Sequence, residues 1–240
     1  MTVPRWYAVV LPAYLAGLLA LDTEVGLRRQ IALGVLTFAV LAVALRPLPP
    51  LARAQALGVV LFATAGEVTG SLVWGVYHYR LHNLPLFIPP AHGLVYLSGV
   101  ALSRSFRDRA VVWAAVIGAA GWGIAGLTVL PRPDVAGAFG VPLLLLFLWR
   151  SRWRASYAGV FLVVAALELY GTSIGTWRWA TYLPGTGISD GNPPSGVASG
   201  YVLFDVMALL VAPMIYARLR SLSEHETSSH LRWSQEPEHQ

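Results

Sequence analysis

Eight apolar runs, separated by short arginine-bearing connections, constrain this chain more than any other feature. They fall at 6–21, 30–46, 55–77, 88–103, 110–130, 135–149, 156–176 and 194–217. A bilayer core about 30 Å thick is crossed by a helix of roughly 17–25 apolar residues. Within that core every backbone amide must be satisfied inside its own segment. Charged residues make up only 12% of the chain, against about 25% in soluble domains. The prediction is an all-α, polytopic membrane bundle of about eight transmembrane helices. They form one transmembrane domain over 1–220, followed by a disordered cytoplasmic tail over 221–240. The run from Trp6 to Leu21 has no clear small-residue cleavage site and reads as the first span. Pro131, Arg132, Pro133 and Asp134 predict a tight turn between the fifth and sixth spans.

All 17 basic residues are arginine. In a soluble protein the isoelectric point near 9.8 would point to nucleic acid. Here the arginines sit between apolar runs and read as topology signals, so no nucleic-acid partner is expected. With eight spans, one side holds twelve of them: Arg5, Arg46, Arg53, Arg104, Arg107, Arg109, Arg150, Arg152, Arg154, Arg218, Arg220 and Arg232. The other holds five: Arg28, Arg29, Arg80, Arg132 and Arg178. This asymmetry predicts an inner-membrane protein with both termini cytoplasmic. The absence of cysteine excludes disulfides and thiolate metal sites.

The two halves of the chain match each other. Glu67-Val-Thr-Gly70 is followed by Trp74, Tyr77, Tyr79, Pro89-Pro90 and Tyr96. Glu168-Leu-Tyr-Gly171 is followed by Trp177, Trp179, Pro193-Pro194 and Tyr201. The offset is 101 at the glutamates and 104 at the prolines. Two parallel four-helix repeats, 1–105 and 106–220, are expected, related by a pseudo-twofold axis along the membrane normal. Each glycine is expected to let another backbone approach. Each proline pair begins a returning helix, and Asn192 is placed to cap the last one.

Glu67, Glu168 and Asp205 lie inside apolar runs with no arginine at similar depth. An ionised carboxylate at the bilayer centre costs about 2.5–3.5 kcal/mol on insertion scales. Protonated acids, or acids sharing a proton, are therefore expected. Interhelical hydrogen bonding that locks the repeats together is the structural alternative. The three are the candidate catalytic residues. Glu67 and Asp205 lie at similar depth in their runs and are predicted to share a cavity near mid-depth. Asp205 has no counterpart in the first half, and Glu168 is the twin of Glu67. His78, His82 and His92 offer a metal site with Glu67 only if they converge. They are read instead as interfacial histidines, and neither metal nor cofactor is expected.

No nucleotide loop or nucleophile elbow is present. The candidate substrate-binding residues are Trp74, Tyr77, Tyr79, His92, Tyr96, Trp177, Trp179 and Tyr201, although interfacial belts use the same residue types. Aromatic faces attract cations, most strongly when desolvated. A neutral acid beside aromatic walls suits protonation of a double bond and stabilisation of the resulting cation. The reading is acid-initiated cyclisation or hydration of an isoprenoid dissolved in the bilayer. A small-molecule or proton-coupled transporter and a non-enzymatic scaffold are the alternatives.

Glu67-x-x-Gly70, Gly75-x-Tyr77-x-Tyr79 and the following Leu-Pro and Pro-Pro resemble the integral-membrane carotenoid hydratases. The small size and the membrane-embedded Glu67 and Asp205 are similar to membrane-bound terpene cyclases. The resemblance implies initiation by a glutamate and an aspartate, and it covers 67–96 and 168–205. The acidic pair of heterodimeric lycopene cyclases is missing.

Overall fold

A computed structural model describes residues 3–233. It contains eight α-helices: α1 Tyr7–Glu24, α2 Leu27–Leu45, α3 Pro50–Glu67, α4 Ile88–Ser105, α5 Asp108–Thr128, α6 Val135–Arg150, α7 Arg154–Ser173 and α8 Val197–Trp233. Each predicted run contains one of these helices, and the run at 55–77 also holds a π-helical segment. Six of the eight are long and apolar enough to cross a bilayer. Large apolar side chains such as Val35, Leu61, Ile117, Phe139 and Leu210 point outward. An apolar outer surface on a helical bundle marks a membrane protein.

The two helices outside that set have separate reasons. α6 has only 16 residues and contains Pro142. α4 is long enough but carries His92, Ser98 and Ser103, and most of it is buried. It packs against α1, α2, α3 and α7. A helix that faces protein rather than lipid need not be apolar throughout.

α3 lies along α8, and α4 along α7. α3 also packs on α4, and α7 on α8; α2 rests on α4, and α6 on α8. α1 departs from this pattern by packing against α4 and α7, whereas α5 packs against α6 and α7. At the α4–α7 crossing, a Cβ added to Gly99 would lie 2.4 Å from Val160 Cα, and one on Gly159 would lie 2.1 Å from the Gly99 carbonyl oxygen. Glycine there permits backbone-to-backbone contact.

The connections after α1, α3, α5 and α7 gather at one end of the bundle. Arg80 donates to the carbonyls of Asp22 and Val25. Arg132 donates to those of Trp179 and Ala180. Between them, β1 (Tyr77–Tyr79) and β2 (Trp177–Trp179) pair antiparallel, with Tyr77 opposite Trp179, His78 opposite Arg178 and Tyr79 opposite Trp177. Two further bonds extend the ladder symmetrically, from Arg80 N to Thr176 O and from Ala180 N to Val76 O.

α3 continues as a π-helical segment, Val68–Trp74, which ends at Gly75 with φ +75°. The chain leaves α7 through Gly175, φ +80°. Both glycines occupy the left-handed conformation that commonly closes a helix. Gly75 follows Glu67 by eight positions, and Gly175 follows Glu168 by seven. The wider π turn takes up the additional residue.

One expectation needs correction, and two segments carry more structure than the sequence suggests. Asn192 does not cap α8; its Oδ1 accepts from Trp179 N and ties the loop to β2. The polar segment from Ser221 continues the backbone of α8 to Trp233, because extending an existing helix requires no new nucleus; residues 234–240 of the expected tail lie outside the described residues. The turn at 131–134 is also more than a connection. Asp134 is fully buried and caps α6 by accepting from Gly137 N. It also accepts from Gly191 N, Ser195 N and Ser195 Oγ. One carboxylate thus fastens the α5–α6 turn to the start of α8.

Candidate active site

Below the β1–β2 pair lies a cavity of ≈ 270 Å³. Strand alternation aims side chains two ways. Tyr77, Tyr79 and Trp177 are buried and Trp179 half-buried, while His78 and Arg178 face outward. The inward four form an aromatic ceiling. Tyr77 and Trp179 have ring centroids 4.5 Å apart, and Tyr79 and Trp177 are at 6.1 Å.

Two carboxyl groups meet this ceiling from below. Glu67 Oε2 accepts from the hydroxyls of Tyr77 and Tyr79, each at 2.6 Å, and Oε1 lies 3.1 Å from His92 Nε2. Both oxygens are therefore engaged. Glu168 Oε2 accepts from Trp177 Nε1 at 2.9 Å and, more weakly, from Trp179 Nε1 at 3.4 Å. Among the described residues, both hydrogen bonds to the Glu168 carboxyl fall on this one oxygen. Each glutamate thus binds the aromatic pair that follows it in sequence.

The glycine of each Glu-x-x-Gly motif explains how the aromatic fits. A Cβ at Gly70 would meet the Tyr77 ring at 3.0 Å, and one at Gly171 would meet the Trp177 ring at 2.1 Å. These glycines make room for the side chain that bonds the glutamate, not for a neighbouring backbone as the sequence reading expected. Glutamate, glycine and aromatic form one local unit.

His92 stacks near Tyr201 with centroids 5.3 Å apart, and Tyr201 contacts Phe204 at 5.7 Å. Aliphatic side chains of α1, α4 and α7, including Leu15, Val95 and Val164, complete the wall. The surface is apolar apart from the acid–histidine–tyrosine group.

Of the predicted residues, Glu67, Glu168, Tyr77, Tyr79, His92, Trp177, Trp179 and Tyr201 line this cavity. Asp205, Trp74 and Tyr96 do not. Asp205 is buried within electrostatic reach of Tyr96 and Tyr157, and its Oδ2 has no hydrogen-bond partner among the described residues. The cavity face of α8 runs through Val197, Gly200, Tyr201 and Phe204; Asp205 stands about 100° round the helix from Phe204. The pairing of Glu67 with Asp205 is thereby replaced by Glu67 with Glu168. The depth shifts as well. α3 starts at Pro50 rather than near 55, which puts Glu67 about 26 Å along it, nearer the β-strand end than mid-depth.

Tyr96 is buried one turn beyond His92 along α4 and is not part of the cavity wall. Trp74 is half exposed, and its Nε1 reaches the Pro184 carbonyl at 3.3 Å. His78 and His82 are exposed and stack at 6.1 Å, apart from the His92–Glu67 pair. Among the described residues no group of three or more potential metal ligands converges. Phe87 and Phe204 were not singled out by the sequence reading; both line the cavity. Phe204 follows Tyr201 at i, i+3 on α8, a signal the sequence carried; Phe87 stands just ahead of α4, where helical spacing does not mark it.

The fold and site together define a helical membrane protein with an acid-lined, aromatic-roofed internal cavity. Comparison of the chain with protein-family models, curated proteins and solved structures finds no match.

Proposed function

We propose that this chain is an inner-membrane enzyme that protonates a double bond near one end of a lipophilic isoprenoid, leading to cyclisation or hydration. The observation that carries the reading is the convergence of Glu67 and Glu168 on one apolar cavity beneath four aromatic rings. The cavity holds about nine groups of water size. That matches the last two isoprene units of a longer chain, with the remainder among the helices or in lipid.

The two carboxyls are differently equipped. Two hydroxyl donors converge on Glu67, joined by His92 in the tautomer that carries its proton on Nε2, an arrangement that favours a carboxylate. Glu168 has one oxygen without such partners and serves as the acid. Its proton adds to an alkene carbon, the π electrons form the new C–H bond, and a tertiary cation remains. The faces of Trp177, Trp179 and Tyr77 stabilise that cation. It collapses by losing a proton from a neighbouring carbon, or by adding water and losing a proton from the new oxygen. The Glu67–His92 pair receives the proton and returns it to Glu168.

The finer architecture proposed is eight spans in two parallel four-helix repeats. The twinned Glu–Gly–aromatic units, the reciprocal α3–α8 and α4–α7 packing and the self-complementary register of β1 and β2 support it. The arginine count, together with the gathering of alternate loops at the arginine-poor end, supports cytoplasmic termini.

The test is mass spectrometry of lipid extracts from cells with and without the gene. A product equal in mass to its precursor indicates cyclisation, and one heavier by a water indicates hydration. Glu168→Gln and Glu67→Gln should each abolish that change while the protein still assembles, because an amide is no useful Brønsted acid or base. Full turnover in both variants overturns the proposal. So does an unchanged lipid profile accompanied by solute flux, which would assign the acids to proton-driven transport.

A further inference from the structure

The opposite end of the bundle contains a second cavity, ≈ 360 Å³, that the proposed chemistry does not use. Arg5, Arg104 and Arg152 line it together with Ser103, Ser156 and Asp108. These residues come from five separate places: the segment before α1, the end of α4, the start of α5, the α6–α7 connection and the start of α7. The fold therefore brings three guanidinium groups together that are distant in sequence. Among the described residues none of the three has a carboxylate within ion-pair distance. With the single acid Asp108, the cavity keeps an excess of two positive charges.

Arg5, Arg104 and Arg152 are exposed, and three positive charges around one recess attract an anion. Guanidinium presents a planar fork of donors suited to phosphate oxygens. Ser103 gives its hydroxyl proton to the Val100 carbonyl, so Ser156 is the hydroxyl that can donate to an anion there. Phe106 and Trp153 sit at the rim, both exposed, and Arg152 lies over the Trp153 ring at 5.3 Å. Exposed aromatics beside arginine at a span end mark the level of lipid headgroups. A phosphate joined to acyl chains satisfies both features, since its charge meets the arginines while its chains run along the apolar outer surface of the helices.

We infer that this recess is a binding site for the phosphate headgroup of an anionic phospholipid from the surrounding bilayer, of the phosphatidylglycerol type. It lies at the end carrying most of the arginines, the side facing the anionic leaflet in the topology proposed above. The site itself does not depend on that assignment or on the chemistry proposed for the other cavity.

The experiment uses the full chain purified in mild detergent, with thermal unfolding followed by tryptophan fluorescence. Dioleoyl-phosphatidylglycerol, dioleoyl-phosphatidylcholine or inorganic phosphate is titrated in. The comparison is between wild type, Arg104→Gln/Arg152→Gln, and a charge-matched control at the other end, Arg28→Gln/Arg29→Gln. Phosphatidylglycerol should raise the melting temperature at concentrations where phosphatidylcholine does not. Its apparent affinity should fall about fivefold for each pocket arginine removed and stay unchanged in the control. Equal losses in the pocket variant and the control overturn the inference, because general charge attraction then explains the effect. Protection by inorganic phosphate alone overturns the lipid assignment, and no preference for phosphatidylglycerol in wild type overturns the site. Should the double variant fail to fold, the single variants Arg104→Gln and Arg152→Gln carry the same comparison.

Discussion

Gly99→Ala tests the closest helix crossing in the structure. The added methyl would stand 2.4 Å from Val160 Cα and 2.5 Å from Val160 N, where ordinary contacts lie at 3.4–4 Å. The obstacle is backbone, so no rotamer change relieves it. α4 and α7 must part by about 1 Å, loosening a seam that includes Val160, Phe161 and Val164. Overpacking of this kind costs about 1–3 kcal/mol. For a chain of this size that corresponds to a fall in melting temperature of about 2–12 °C. Gly121→Ala is the control: nothing lies within 4 Å of its added methyl, and alanine is the better helix former by about 0.8–1.0 kcal/mol. Thermal unfolding in detergent, read from tryptophan fluorescence, should show Gly99→Ala melting lower than wild type and Gly121→Ala melting at or above it. A Gly99→Ala protein that melts with or above the wild type refutes the close crossing. α4 carries His92 and α7 carries Glu168, so the variant should also impair turnover although it touches neither group.

Asp205→Asn should leave any lipid conversion near wild-type rate, since Asp205 stands outside the cavity; loss comparable with Glu168→Gln, without loss of folded protein, would return it to the site. Asp190 lies in the β2–α8 connection, and burial, followed by the neighbouring Asp134 charge, raises its pKa to about 7. The fold therefore favours its neutral form, and the stability this contributes is complete below the ordinary carboxylate range and lost as pH rises through about 7. Asp190→Asn should accordingly melt higher than wild type at pH 8, with a smaller difference between pH 5 and pH 8; identical pH profiles for the two proteins would count against it. A reporter that is active only in the periplasm, fused to the C-terminus, should be silent, and a strong signal would reverse the proposed orientation.

The helices were legible because lipid imposes a one-dimensional rule: each crossing segment must be apolar over its length, and proline, glycine and arginine punctuate the rest. The twin glutamates were legible for a related reason, as acids in such segments stand out. Asp205 misled because depth along a helix can be counted in sequence, whereas the direction a side chain faces depends on which neighbours the helix acquires. Gly70 and Gly171 were found, but their purpose was not, since the aromatic ring each accommodates returns through a β-strand that three residues barely announce. Asp134 sat where an N-cap belongs. Its three bonds to Gly191 and Ser195 depend on a contact across nearly sixty residues, which spacing alone does not reveal.

The π-helical turn between Glu67 and Gly75 bears on how freely this chain can change length. An inserted residue in a membrane span ordinarily rotates everything beyond it by about 100° and advances it by 1.5 Å, so that lipid-facing and protein-facing sides exchange. Here the surplus is confined to one loosened turn, and Tyr77 and Tyr79 still meet Trp179 and Trp177 in register. Removing one exposed residue such as Val73 should turn this segment α-helical while Glu67 before it and the strand after it keep their places.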